Sequence, residues 1–187
     1  MTTKKILNQS IEALLNSQVI LYPTDTVWGL GCDATNVDAV AKIFKLKNRV
    51  ESKSLVVLVS SMEMLHTYVG TVPQKAIDII SKTKKPTTII YSNPKGLADN
   101  AIAVDNTIAI RIPTHNYCLE IINKLGKPII STSANISGES TPKSFSEISL
   151  PILEGVDYVV NLEQDKITDK SSTILKLVGN AIEVIRA

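Results

Sequence analysis

Val19-Ile20-Leu21-Tyr22-Pro23-Thr24-Asp25-Thr26-Val27-Trp28-Gly29-Leu30-Gly31 decides how the rest of the chain is read. The first four residues are apolar and make a short strand of the kind buried on both faces. Pro23 has no amide proton to give to a ladder, so the strand stops there. The segment from Pro23 to Asp33 reads as a loop of hydroxyls, carboxylate, indole and glycines. Glycine tolerates positive φ and lets a ligand approach the backbone closely. In open α/β sheets, ligands bind at the carboxyl ends of strands, where such loops lie.

Upstream, Ile6, Leu7, Ile11, Leu14 and Leu15 share one helical stripe. Downstream, Asn36 reads as an N-cap, followed by a helix with Val37, Val40, Ala41, Ile43 and Phe44 on its apolar face. Residues 54–60 form an apolar run of strand length. Thr71-Val72-Pro73-Gln74 has capping-box form, with Pro73 in the first turn of a helix that runs to about Lys82. Strands come next at 87–91 and 107–112, the second ended by Pro113. A helix through Leu119, Ile121, Ile122 and Leu125 stops at Gly126. Ile129-Ile130 leads into a second polar loop, 131–142, and Ser144-Phe145-Ser146-Glu147 repeats the capping-box form. Residues 157–186 read as two or three strands around a loop at 169–173. Helices and strands alternate, then strands crowd the end, which predicts an α/β domain with a mixed sheet. The pattern does not fix the strand order.

The length of 187 residues suits one domain with a core that needs no metal or disulfide staple. Aromatics are only 4% of the chain, so Ile, Val, Leu and Ala must build that core. A net charge of +2 does not by itself point to nucleic acid. Between Lys42 and Lys53, however, Lys42, Lys45, Lys47, Arg49 and Lys53 face a single acid, Glu51. That run is either a solvated helix face with its exit loop or an edge that binds anions. Cys32 and Cys118 have neither redox nor metal spacing, which fits reduced thiols in a reducing compartment. The amino terminus is polar and helix-periodic, without the apolar core of a secretory signal, and no apolar run has membrane-spanning length. The expectation is a cytoplasmic protein with no membrane partner.

Several chemistries are absent from the sequence. There is no GxxxxGK[ST] and no GxGxxG, so neither common phosphate-binding fingerprint is present. HExxH, Cys/His clusters and GxSxG are missing too, which excludes the commonest zinc and serine-hydrolase readings. His66 and His115 read as structural or surface residues, and no residues are assigned to a metal. The pair of loops remains. The second, Ser131-Thr132-Ser133-Ala134-Asn135-Ile136-Ser137-Gly138, again comes straight after a buried strand. Small hydroxyl and amide groups supply dense hydrogen bonds for phosphate or carboxylate oxygens. The bland alternative is a tight turn that caps itself. With Lys47-Asn48-Arg49 and Arg111 at a strand end, the two loops predict a polyanion site. Basic groups without an acid–base dyad suggest phosphoryl or nucleotidyl transfer, in which catalysis is positioning and charge neutralisation.

These motifs, in this order, resemble the YrdC/TsaC family of threonylcarbamoyl-AMP synthases. The resemblance rests on residues 22–31, Lys47-x-Arg49, Thr107-Ile108-Ala109-Ile110-Arg111-Ile112-Pro113, residues 128–138 and Ser172-Thr173. It implies a single YrdC-like domain over 1–187, the short form of the family, with a twisted, mixed and largely parallel open sheet, flanking helices and a concave positive face. It also implies the substrates ATP, L-threonine and bicarbonate or CO₂, with Mg²⁺. The products would be threonylcarbamoyl-AMP and pyrophosphate, the first passed on by tRNA threonylcarbamoyl-transfer proteins. The threonine carbamate, already an anion, would attack the α-phosphorus and needs no serine nucleophile or histidine base. Lys47 and Arg49 match the catalytic and phosphate-binding pair. Lys53, Thr107, Ser133, Asn135 and Arg186 match nucleotide positions. Thr24, Thr26, Arg111, Ser131 and Ser172 match threonine positions, with Arg111 on the carboxylate, whose shape its forked guanidinium fits. Two departures stand out: Ser54 replaces the usual Pro, and Leu58 stands where a His is expected.

Two other readings compete. One is a YrdC-fold protein that holds tRNA or double-stranded RNA without catalysis, through phosphate contacts. The low charge and few aromatics speak against it as the main role, while weak RNA contact beside catalysis is compatible. The other is a YciO-type paralogue without synthase activity, against which Ser133-Ala134-Asn135 and Lys47-x-Arg49 both argue. A carbamoyl-transfer domain of a hydrogenase-maturation protein fits less well, since that protein's acylphosphatase and zinc-finger segments have no counterpart here.

Overall fold

The structure is a computed structural model that describes residues 2–49, 55–168, 170–178 and 181–187. Lys53 and the departure at Ser54 lie outside the described residues.

Helix α1 (Thr3–Leu15) buries Ile6, Leu7, Ala13 and Leu14. Leu15, expected on the same stripe, is 65% exposed. It sits about 100° round the helix from Leu14, which carries it past the rim of the buried face. Strand β1 (Ile20–Tyr22) is fully buried. The segment expected to be loop as far as Asp33 instead turns back at Trp28 into a second buried strand, β2 (Gly29–Gly31). β2 pairs antiparallel with β1, Tyr22 opposite Gly29 and Ile20 opposite Gly31. Gly-Leu-Gly carries little strand propensity. It forms a strand here because Tyr22 lies across it: a Cβ on Gly31 would come within 2.6 Å of the Tyr22 ring and 2.9 Å of the Ile130 carbonyl oxygen.

Helix α2 (Val37–Leu46) starts as its sequence demands, the Asn36 side chain accepting the Ala39 amide at 2.9 Å. It buries Ala39, Val40, Ile43 and Phe44, and leaves Val37 exposed. Strand β3 (Val56–Leu58), helix α3 (Met62–Val69), helix α4 (Gln74–Lys82) and strands β4 (Thr87–Ser92) and β5 (Thr107–Arg111) come next. The capping box expected at Thr71 does not form. Pro73 itself is the N-cap, without a side-chain bond, which leaves Thr71 outside the helix. Helix α5 (Asn116–Leu125) ends on Gly126 in the left-handed conformation. Strand β6 (Ile129–Ser133) and the short helix α6 (Leu150–Gly155) lead to β7 (Tyr158–Val159), β8 (Thr173–Val178) and β9 (Ala181–Arg186). At Ser144 there is only a 3₁₀ turn without a side-chain cap; Glu147 accepts the Lys143 amide instead.

The nine described strands join one sheet in the order β7-β1-β2-β6-β3-β5-β4-β8-β9. The α/β class and the mixed sheet with flanking helices are as expected, but the parallel majority is not. Among the described residues, five strand pairs are antiparallel and three parallel. The consecutive pairs β1–β2, β4–β5 and β8–β9 and the antiparallel insertion of β6 between β2 and β3 make up the five, since antiparallel neighbours need no helical crossover.

One face of the sheet is covered by α2, α3, α4 and α6, whose Ile43, Phe44, Leu65, Ala76 and Ile152 join Leu30, Val57, Ile89, Ile110 and Ile130 in one core. On the other face, α1 and α5 pack Leu14, Ile121 and Ile122 against Ile20, Tyr22, Leu58 and Ile129. That second cover is partial, and beside it Val56, Ala109 and Ser131 line an open cavity. None of the described helices is long and apolar enough to cross a membrane.

Candidate functional site

Because β2 is antiparallel to both β1 and β6, those two strands point the same way, with Tyr22, Gly29 and Ser133 on one level. The polar segments after β1 and β6 therefore leave from the same end of the sheet. Between them and the open face lies a cavity of about 300 Å³. Its polar wall holds Thr26, Ser131, Ser133 and Ser172, its apolar wall Ile90, Ile174 and Ile185, and Trp28 stands at its side. Trp28 is fixed from behind by Phe145, with ring centroids 5.1 Å apart. Three guanidinium groups, Arg49, Arg111 and Arg186, reach the same cavity. A second hollow of about 250 Å³ adjoins it through Arg49 and Ser133, and adds Lys47, Asn135, Ser137 and Gly138. Three arginines, a lysine and a lining of hydroxyls suit a polyanion with a carboxylate beside it.

Arg111 ends β5 and is 4% exposed. Its Nη1 donates to Asp25 Oδ1 at 2.7 Å, and Nη2 reaches Thr26 Oγ1 at 3.5 Å. Its Nε is buried and has no hydrogen-bond partner. The other oxygen of Asp25 accepts the Thr114 amide at 3.1 Å and hydroxyl at 3.4 Å. Thr24 lies outside both hollows. Its hydroxyl donates to the Val27 carbonyl at 2.8 Å and accepts the Thr26 amide at 3.0 Å, so it shapes the turn that presents Thr26.

Lys47, expected on a solvated face or on phosphates, is 1% exposed. Its ammonium donates to the carbonyls of Ser133 at 2.5 Å and Asn135 at 2.6 Å, and its own carbonyl accepts the Ser137 amide. The lysine thus pins the second polar segment under the cavity floor. Burial, with the neighbouring Arg49 charge, lowers its pKa to about 8. Asn135 is held by Nδ2 bonds to the carbonyls of Ile136 and Glu139, while its Oδ1 is buried without a partner. Ser172 hydrogen-bonds the Thr88 hydroxyl at 2.8 Å, and Arg186 binds both its carbonyl and its hydroxyl. Burial, then the Arg111 charge, lowers the Arg186 pKa.

Nine of the twelve expected site residues line the two hollows. Thr24 and Thr107 do not, and Lys53 is outside the described residues. Thr107 shares the open face with Arg111 at the other end of β5, where its hydroxyl donates to Asp105 at 2.6 Å. Leu58 is fully buried in the core beneath α1 and α5, away from the cavity lining. Cys32 and Cys118 are buried and free, their thiol pKa values pushed up by desolvation, which leaves them unreactive. Asp25 and Thr141 belong to the site without having been singled out in the sequence. Asp25 was visible inside the quoted loop, but its partner Arg111 is 86 residues away. Thr141 carries no pattern that distinguishes it from other loop hydroxyls.

Residues 12–187 match the family model Sua5_yciO_yrdC, described as telomere recombination. A threonylcarbamoyl-AMP synthase of Pseudoalteromonas translucida is 32% identical over 164 residues, covering 86% of this chain and 88% of that protein. The crystal structure of P. abyssi Sua5 complexed with L-threonine superposes with a TM-score of 0.86 at 23% identity. That alignment covers all of this chain, which spans 54% of the Sua5 chain. The crystal structure of E. coli YciO gives the same TM-score at 23% identity, with 90% of that chain covered. At these identities the two structures bear on the fold alone.

Proposed function

The chain belongs to the Sua5/YciO/YrdC family, and from that premise we propose that it is an L-threonylcarbamoyladenylate synthase acting as a nucleotidyltransferase on ATP, L-threonine and bicarbonate or CO₂. The observation that carries the reading is the joining of two polar segments and three arginines around one cavity on the open sheet face. The P. translucida relative carries the synthase name over nearly its whole length.

The chemistry fits the side chains. The threonine amine adds to CO₂, releasing a proton and giving a carbamate. A carbamate oxygen then bonds to the α-phosphorus as the bond to the pyrophosphate oxygen breaks. Two anions must meet, so the barrier is largely repulsion, and guanidinium groups in a partly dry cavity reduce it. Arg111 binds the threonine carboxylate beside Thr26, Ser131 and Ser172. Arg49, Arg186, Ser133 and Asn135 hold the nucleotide, and Lys47 supports them by fixing the backbone of Ser133 and Asn135. Among the described residues, no group of three or more His, Cys, Asp and Glu could hold a metal ion. The lining instead donates to anions, so Mg²⁺ enters as the counterion of the triphosphate, as part of the substrate. The product adenylate is handed to proteins that transfer the threonylcarbamoyl group to tRNA, and the setting proposed for the reaction is the cytoplasm.

The test is pyrophosphate release from ATP with Mg²⁺ and bicarbonate, with and without L-threonine and with serine as control. Threonine-dependent release together with a threonylcarbamoyl adenylate is the expected result. ATP binding without release, in folded protein, would point to the YciO-type paralogue.

A further inference from the structure

We propose that Asp25 is the positioning residue for Arg111, fixing the plane in which this guanidinium meets the substrate carboxylate. The proposal rests on the synthase reading above. Arg111 has five donors and is nearly sealed from water. Asp25 takes one of them, Nη1, at 2.7 Å, with the two side chains only 3% and 8% exposed. A single bond to one amino group would leave the guanidinium free to swing about it. Asp25 is itself held on its second oxygen by the Thr114 amide and hydroxyl, one residue beyond the proline that ends the β5 segment. The carboxylate is therefore anchored to the start of the connection that Arg111 enters, and the Nη2 contact with the Thr26 hydroxyl gives the guanidinium a second point that sets its plane.

Occupation of Nη1 has a chemical consequence. The donors left are Nε, which is buried without a partner, and Nη2, whose contact with Thr26 at 3.5 Å is at the limit of a hydrogen bond. These two lie on the same edge of the guanidinium, the edge that binds a carboxylate through two parallel hydrogen bonds. Asp25 thus keeps a substrate carboxylate from settling on the Nη1 end and leaves it the side edge, next to the Thr26 hydroxyl. A plain structural staple would hold the two loops together without favouring one edge of Arg111.

The variants Asp25→Asn, Asp25→Glu and Arg111→Ala, with the double variant Asp25→Asn/Arg111→Ala, separate these roles. Each is assayed for threonine-dependent pyrophosphate release, and for binding of a non-hydrolysable MgATP analogue through the fluorescence of Trp28, the single tryptophan. Loss of a hydrogen bond between charged groups lowers kcat/KM for threonine by about tenfold or more. The expected result for Asp25→Asn is that loss with analogue affinity unchanged, partly restored in Asp25→Glu. In the Arg111→Ala background, Asp25→Asn has no further effect, because it acts through the arginine. Equal losses for threonine and nucleotide, additive losses in the double variant, or wild-type kinetics in folded Asp25→Asn would each overturn the proposal. Should Asp25→Asn not fold, Asp25→Glu carries the same comparison. Wild-type protein that releases no pyrophosphate with threonine would overturn the synthase reading instead, and this proposal with it.

Discussion

Lys47 shows how far a residue's environment can depart from what its type suggests. In the sequence it belongs to a basic run; in the fold its ammonium sits beneath Ser133 and Asn135 and is almost inaccessible. Its pKa falls from 10.5 to about 8, first through burial and then through Arg49. Two trends of opposite sign result. Between pH 8 and 10.5 the unfolded chain keeps a proton on this amine that the folded chain has released, so the Lys47 contribution to stability rises with pH, by on the order of 3 kcal/mol in all. The buried thiols and phenols run the other way, since their folded pKa values are raised. The contribution is therefore read as the difference between wild type and Lys47→Met in urea unfolding, which should grow in favour of wild type from pH 8 upward. Affinity for the MgATP analogue should fall over the same range in wild type and stay flat in the variant. A pH-independent difference in both would show that Lys47 acts through its shape alone. The placement of Asp25 was equally illegible before folding, because a carboxylate within a loop announces neither the strand end it will meet nor the edge of the arginine it will take.

The element that the sequence hid is β2. Gly29-Leu30-Gly31 has two of the least strand-prone residues and comes after a proline-led polar stretch, so local preference reads it as loop. The tertiary structure overrides that preference, because the Tyr22 ring occupies the space where a Cβ of Gly31 would stand. Replacing Gly31 by Ala forces the ring or the Ile130 carbonyl to move. Overpacking of that kind costs about 1–3 kcal/mol, a drop in Tm of roughly 2–12 °C for a chain of this size. Gly126 makes the contrast: its φ of +68° strains any other residue, but nothing lies within 4 Å of an added Cβ. Gly126→Ala should therefore cost about 1 kcal/mol. Calorimetry of both variants checks the order, and Gly31→Ala proving the milder would mean that β1 and β2 are packed less tightly than their register implies. By contrast β5, β6 and α5 were legible, since proline, a run of small hydroxyls and a left-handed glycine mark their ends. Thr71 and Ser144 misled, because a capping box read from side chains says nothing of where the backbone begins to turn.

At the scale of the molecule, the site joins Thr26, Arg49, Arg111, Ser131, Ser172 and Arg186, which come from five separate parts of the chain. The sequence could supply the residue types and the loops, but not the strand order that brings β9 round to β6 across the open face. The assembly sets three guanidinium groups around one cavity of about 300 Å³. Repulsion within the cluster shows between two of them, since burial first and the Arg111 charge second lower the Arg186 pKa. Like charges held together by a fold oppose that fold, and a polyanion in the cavity relieves them. Ligand-free protein should accordingly gain stability from moderate salt, which screens the three arginines. A non-hydrolysable MgATP analogue at 100 times its Kd should add about 2.7 kcal/mol, roughly 5–10 °C in Tm. With the analogue concentration held fixed, the shift should shrink as salt rises, because screening weakens the hold of the arginines on the polyanion and raises Kd. In Arg186→Ala the ligand-free protein should lose much of its salt response and bind the analogue more weakly. Thermal shifts of wild type and Arg186→Ala, measured across a salt series with and without the analogue, test the whole chain of reasoning. An Arg186→Ala protein with an unchanged salt response would show that the third arginine takes no part in the charge cluster, and that the cavity draws its anion affinity from Arg49 and Arg111 alone.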